Sequence, residues 1–144
     1  MSTSNCKELG LNMQKIVARL LANDELVKLL FYEDKDPLGH DNLTQSQKEN
    51  EVYQKLIKIV PRHVEDETNK SVIIVYLKRG SKVPGNSEFV SLQINIDIFV
   101  PLSSWIIKDI NLRPFAILGQ IQDSLEGKTI NGLGKIQGGD FELT

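Results

Sequence analysis

Cysteine is almost missing from this chain: its 144 residues include one, Cys6. No intrachain disulfide can form, and a reducing compartment fits. Histidine is nearly as scarce, with only His40 and His63, both in loop-like contexts. A Cys–His pair or a Ser–His–Asp triad therefore has little to build from, and zinc would want more His or Cys than any one stretch offers. Excess positive charge is absent too, since 17 Lys and Arg face 19 Asp and Glu for a net −2. That balance gives no general attraction for nucleic acid, and a short run such as Lys78-Arg79 is too small to change it. No apolar run approaches the roughly 20 residues of a membrane span. The opening Met-Ser-Thr-Ser-Asn lacks the charged-then-apolar order of a secretory signal, so folding in a cytoplasm is the expectation. There is no internal repeat and no low-complexity segment. No catalytic constellation emerges, and the expectation is a protein that is not an enzyme and holds no cofactor or metal.

What is present is ordinary globular composition, 40% hydrophobic and 25% charged, in a length that suits one domain over 1–144. Residues 1–7 are expected to be flexible. The most regular stretch is Glu88–Val100, where Val90, Leu92, Ile94, Ile96, Ile98 and Val100 take every second position. Period-two alternation of this length predicts a strand with one buried face, and it reads as the central, non-edge strand of the sheet. The intervening face holds Ser91, Gln93, Asn95 and Asp97 between Phe89 and Phe99, with no Lys or Arg. Amides and hydroxyls framed by aromatics suit a surface that another protein covers. They equally fit a water-facing strand with two incidental Phe.

In chain order, Leu9, Met13, Ile16, Val17, Leu20 and Leu21 follow helical spacing over Glu8–Leu21. Asn23 or Asp24 can cap a shorter helix bearing Leu26, Leu29 and Leu30. Thr44 and Gln47 form a capping box that opens a helix through Val52, Leu56 and Ile59, closed or diverted at Pro61. Val60–Glu65 reads as a possible short strand. Ser71–Lys78 is a continuous β-branched run, a strand buried on both faces or nearly so. Arg79–Ser87, with Pro84-Gly85-Asn86, reads as a long hairpin loop. Trp105 should pack an apolar linker against the domain edge. Asn111 is expected to cap a helix with Pro114 in its first turn, ending at Gly127 as a left-handed residue. Phe141 and Leu143 would form a last edge strand.

Two stretches imitate chemistry. Glu33–Asn42 offers Asp34, Asp36, His40 and Asp41. A calcium loop of EF-hand type would need ligands at alternating positions and a twelfth-position Glu, and Gln45 stands there instead. A solvated loop is expected. The Gly132–Gly139 run follows a helix, precedes a strand and has one residue too many for a dinucleotide fingerprint, so it reads as a turn.

Taken together, the order is helix, loop, helix, two or three strands, helix, final strand. The expected fold is α+β, a mainly antiparallel sheet of 3–4 strands with N-terminal helices and one long helix on one face. This order resembles the tail-completion and tail-terminator proteins of long-tailed bacteriophages. Three passages carry the likeness: Ile16–Leu30 as first helix, break and second apolar turn; Leu92–Val100 as the alternating strand; and Asn111–Gly127 as the helix ending Leu-Glu-Gly. The resemblance implies a non-enzymatic structural virion protein that forms a ring, commonly a hexamer, at the head–tail junction. Its partners would be itself, the tail-tube protein and the head connector, without sequence-specific nucleic acid or membrane, and its place the virion neck after assembly in the host cytoplasm. The insertion Glu33–Ile59 is longer than that family leads one to expect, which leaves open a terminator, a completion protein or another neck-ring component. Phe89, Ser91, Gln93, Asn95, Asp97 and Phe99, with Lys82, Pro84 and Asn86 of the loop, are the candidate subunit interface. Two other classes remain: a small dimeric α+β ligand-binding or regulatory module, and a metal-dependent nuclease using the Asp34/Asp36 loop.

Overall fold

The computed structural model describes residues 9–60, 69–83, 86–130, 134–136 and 138, without the side chains of 81–91 and 134–135. Helix α1 (Leu9–Leu21) buries Met13, Ile16, Val17 and Leu20, the stripe that three-and-four spacing puts on one face. Asn23 ends the break after it. Its side-chain oxygen accepts from the Leu26 N–H at 3.1 Å and caps α2 (Asp24–Phe31), whose acidic Asp24 and Glu25 suit the positive end of the helix dipole. Leu26, Val27, Leu29 and Leu30 of α2 are all buried.

The capping box forms as the sequence predicts: Thr44 Oγ1 accepts from Gln47 N–H, and Gln47 Oε1 accepts from Thr44 N–H at 2.9 Å. The helix it opens is shorter than the spacing implies. A single turn, α3 (Gln45–Gln47), passes into a π-helical turn at Lys48–Val52, and Gln54 then adopts a left-handed φ of 61°. That residue redirects the chain, so Ile57–Ile59, expected as the end of a helix, is strand β1. Val52, Leu56 and Ile59 fall at helical spacing, but Ile57-Lys58-Ile59 is also a β-branched alternation, and pairing with the sheet decides between the two.

Strands β1, β2 (Val72–Val83) and β3 (Asn86–Phe99) form a mixed sheet in that order, β1 parallel to β2 and β2 antiparallel to β3. The fold is α+β. The central position belongs to β2, and among the described residues β3 lies at the edge, which corrects the reading of Glu88–Val100 as a non-edge strand. The burial pattern explains the correction. Val72–Tyr76 are buried without interruption, as a strand covered on both faces must be, whereas Leu92, Ile94, Ile96 and Ile98 are half-buried against the core.

The long loop expected at Arg79–Ser87 is also corrected. Ladder pairing continues from Ser81↔Ser91 through Lys82↔Val90 to Val83↔Asn86, with register shifts at Lys78 and between Lys82 and Val83. The hairpin is right, but its strands run further than expected, β2 to Val83 and β3 from Asn86.

After a 3₁₀ turn at Leu102–Ser104, β4 (Ile106–Ile107) pairs antiparallel with β5 (Asn111–Leu112). Helix α4 (Arg113–Leu125) follows at once, with Pro114 in its first turn and Leu112 in the cap position. Asn111 was the expected cap; its side chain instead accepts from the Leu112 N–H at 2.8 Å. Gly127 takes φ 73° just beyond α4, as a helix terminator should. Strand β6 (Thr129–Ile130) then pairs with β7 (Gly134–Lys135), so the glycine run includes a short strand. Helices α1 and α2 pack against α4, while α1 touches β1 and α4 touches β3. Ile117, Ile121 and Leu125 thereby join Ile57, Ile73 and Val75 in one core. Val60–Glu65 beyond Val60, His63, Cys6, Phe141 and Leu143 lie outside the described residues.

Candidate interaction surfaces

The face proposed from sequence as an interface is the second face of the β2–β3 ribbon. Direct pairing places Ile74 with Asp97, Tyr76 with Asn95 and Arg79 with Gln93, and directly paired residues share a face. Asn95 Nδ2 donates to the Tyr76 hydroxyl at 3.2 Å, so this amide is engaged within the subunit. Ile74 and Tyr76 are buried, Asp97 is half-buried, and Phe99 is half-buried against the core. Gln93 is exposed, and so is Arg79 beside it. The strand alone carries no cation on this face; the register brings one from its neighbour. Lys82 and Asn86 pair with Val90 and Val83 in the ladder. The side chains of Phe89, Ser91, Lys82 and Asn86, and the whole of Pro84, lie outside the described residues.

A second region was not anticipated. Arg113, the first residue of α4, is fully buried. Its Nε donates to Ser104 O at 2.8 Å, Nη1 to Leu29 O at 2.5 Å and Tyr32 O at 2.8 Å, and Nη2 to Asp34 O at 2.6 Å. The planar fork of donors meets four backbone carbonyls from three segments, an arrangement one ammonium cannot reproduce. Leu29 and Tyr32 lie at the C-terminal end of α2, where the helix dipole favours a cation. Burial pulls the guanidinium's pKa down, and the charges of Glu33 and Asp34 oppose that pull. Glu33 in turn accepts from Ser71 N–H at 2.9 Å, which connects the cluster to the start of β2. In sequence, Arg113 is a lone cation between Leu112 and Pro114, with no pattern to separate it from a surface residue.

The Glu33–Asn42 loop is organised by its own side chains. His40 Nε2 pairs with Asp34 Oδ2 at 2.5 Å and stacks on Tyr32 with ring centroids 4.0 Å apart. Lys28 Nζ donates to His40 O at 3.1 Å. The His40 hydrogen bond is the main reason the Asp34 carboxyl titrates below its ordinary value, assisted by the Asp36 N–H and opposed by desolvation. Asp36 lies 3.8 Å from Lys108 of the following hairpin. Among the described residues, no three His, Cys, Asp or Glu side chains gather as a metal site would require.

The segment that Arg113 anchors ends in an unusual tip. Asp109 and Ile110 both have left-handed φ, 67° and 56°, a conformation that is a true outlier for a β-branched residue. Ile110 is 99% exposed. Five of the seven exposed large apolar side chains among the described residues fall between Leu102 and Phe115, namely Leu102, Ile106, Ile110, Leu112 and Phe115. Trp105 ties the segment's base down by donating Nε1–H to Val100 O at 2.8 Å, and Lys108 N–H donates to Lys35 O at 2.6 Å. The backbone is held at both ends while apolar side chains face solvent.

Among the described residues, no helix is long and apolar enough to cross a membrane. No curated protein and no solved structure matches the chain. A family model does: YomW matches residues 23–142, from the cap of α2 to the last residues. The family is of Bacillus phage origin, SPBc2 prophage-like, and the chain belongs to the YomW family as a phage-associated protein.

Proposed function

We propose that this chain is a structural virion protein that forms a ring at the head–tail junction, terminates or completes the tail, and joins it to the head connector. The ring is a homo-oligomer, a hexamer by resemblance, that contacts the tail-tube protein on one side and the connector on the other. It works by shape and association and carries no catalysis.

The observation that supports this most is the β2–β3 ribbon. Its strands run 12 and 14 residues, yet β1 flanks only Ile73–Val75. Beyond that point β2 and β3 pair only with each other among the described residues. Past Leu77 and Leu92, which still pack on the core, they run on as a two-stranded arm. An isolated two-stranded hairpin is marginal in water, so an arm of this length gains most when laid against a partner. Association through strands and their faces is a common mode of protein recognition. Membership of a phage-derived family supports a phage component as that partner.

The test is made in the phage itself. Gln93 is exposed on the ribbon face, so Gln93→Lys should leave the fold intact while adding a charge that a covering partner must desolvate. Particles from this variant should separate into filled heads and unattached tails under the electron microscope. Normal infectious titre would remove the ribbon face from the interface.

A further inference from the structure

We propose that the Asp109-Ile110 tip of one copy docks in the groove between α1 and β6 of the next copy, a contact that rests on the ring reading and names its joining surfaces. The groove holds about 350 Å³ and is lined by Lys15, Ala18 and Arg19 of α1 and Ala22 just after it, with Thr129 and Ile130 of β6. Ala18 and Ala22 are exposed and short, so among the described residues the floor between Lys15 and Arg19 is low enough for an isoleucine to rest on. Arg19 is exposed at its side, and Asp109, next to Ile110 and exposed, supplies the opposite charge. A pair of this kind at the rim of an interface adds little affinity, but it selects orientation.

The knob and the groove sit at opposite ends of α4. The hairpin β4–β5 leads directly into the first residue of α4, and β6 follows the helix's far end. A 13-residue helix separates them by about 20 Å at 1.5 Å per residue. Tip and groove are different surfaces at opposite ends of one element, and such a pair can meet reciprocally across a two-fold axis or head to tail. The ring reading requires the head-to-tail form, and such contacts build rings when the rotation closes. The left-handed backbone at Ile110 fits this role. A β-branched residue held there is strained, and the hairpin keeps it because its ends are pinned through Lys108 and Arg113.

Disulfide trapping tests the contact on the full chain, with Cys6→Ser removing the native thiol. Ile110→Cys and Ala22→Cys together should give, under mild oxidation, a ladder of covalent oligomers above the dimer. Either substitution alone should stop at dimers or below. Ile110→Gly should raise the melting temperature by about 2–4 °C, since glycine adopts the left-handed conformation freely, while weakening self-association in sedimentation by about tenfold or more. A double variant that yields no oligomer above the dimer, at any protein concentration, overturns the contact, as does unchanged association of Ile110→Gly. The head–tail role is decided separately by the Gln93→Lys particles. A ladder with normally joined particles keeps this contact and removes the role assigned to the ribbon face; joined-particle failure without a ladder does the reverse.

Discussion

The β2–β3 ribbon and the segment from Val100 to Arg113 are held in place by opposite means. The ribbon rests on a repeated pattern: apolar residues at every second position, a ladder of paired backbones, and half-buried isoleucines over the core. No single side chain carries it. The second segment has two-residue strands and exposes most of its apolar side chains. What fixes it is one buried cation that donates to four carbonyls. Distributed apolar burial tolerates the loss of any one member, whereas a polar hub fails when its centre is removed.

The sharpest way to break this comparison is Arg113→Met, which should destabilise by about 3–5 kcal/mol because buried carbonyls lose their donors together. Against a total stability of about 5–15 kcal/mol, the domain would be close to unfolding at 37 °C. Arg113→Lys should recover only part of the loss, since an ammonium lacks the flat fork. Urea unfolding of both variants measures it. A cost below about 1 kcal/mol for Arg113→Met would mean that water replaces the guanidinium and that the hub is not a hub.

The ribbon predicts a graded response. Ile73, fully buried on the central strand, should cost about 2–4 kcal/mol when cut to Ala. Its cross-strand partner Ile98 is half-buried, and Ile98→Ala should cost roughly half as much. Equal costs at the two positions would return β3 to the buried, non-edge role that its alternation suggested.

That mistaken role shows what the sequence could convey. Strict alternation over Val90–Val100 marks a strand with one apolar face, which is as true of an edge as of a centre. The continuous run Val72–Val75 was the better signal for a central strand, because both faces must be covered there. The capping box at Thr44 and the terminator at Gly127 were legible, since each depends on residues a few positions apart. The end of the helix after Thr44 was not, because β1 is fixed by pairing with the distant β2. The left-handed Gln54 belongs to that turn, its N–H donating to Ile57 O at 2.8 Å and its Oε1 accepting from Ile59 N–H at 2.9 Å. Arg113 was illegible for a deeper reason. Arginine is seldom fully buried, and its partners are carbonyls that every residue possesses.

Asn23 sharpens the comparison at the other end of α2. Its Oδ1 caps the helix, while Nδ2 donates to Ser124 Oγ at 2.8 Å and Gln120 O at 3.2 Å on α4. Arg113 therefore ties the C-terminal end of α2 to the start of α4, and Asn23 ties its N-terminal end to α4's last turns. Asn23→Ala should cost about 0.5–2 kcal/mol, and Asn23→Ser, which keeps the cap and loses the reach, should fall between. If Ser restores full stability in thermal melts, the link to α4 contributes nothing and Arg113 alone aligns the pair.

The smallest effect concerns acid. Asp34 titrates below its ordinary value of 3.8, chiefly through the hydrogen bond with His40. A carboxylate whose pKa is lower folded than unfolded adds stability above the unfolded value. That contribution fades as pH falls through the unfolded pKa and the lower folded one, because the unfolded state then binds more protons. Asp34 is solvent-exposed, so the contribution is modest and salt should reduce it. Its position still matters, because the Asp34 carbonyl accepts from Arg113 and the loop that positions this carbonyl is held by the Asp34–His40 pair. Denaturant unfolding from pH 6 down to pH 2 should therefore fall less steeply below about pH 4 for Asp34→Asn than for the parent chain. The same flattening should appear in His40→Ala, which removes the first cause of the shift. Parallel curves for all three proteins would show that the pair is only an exposed contact and that the hub holds its loop without it.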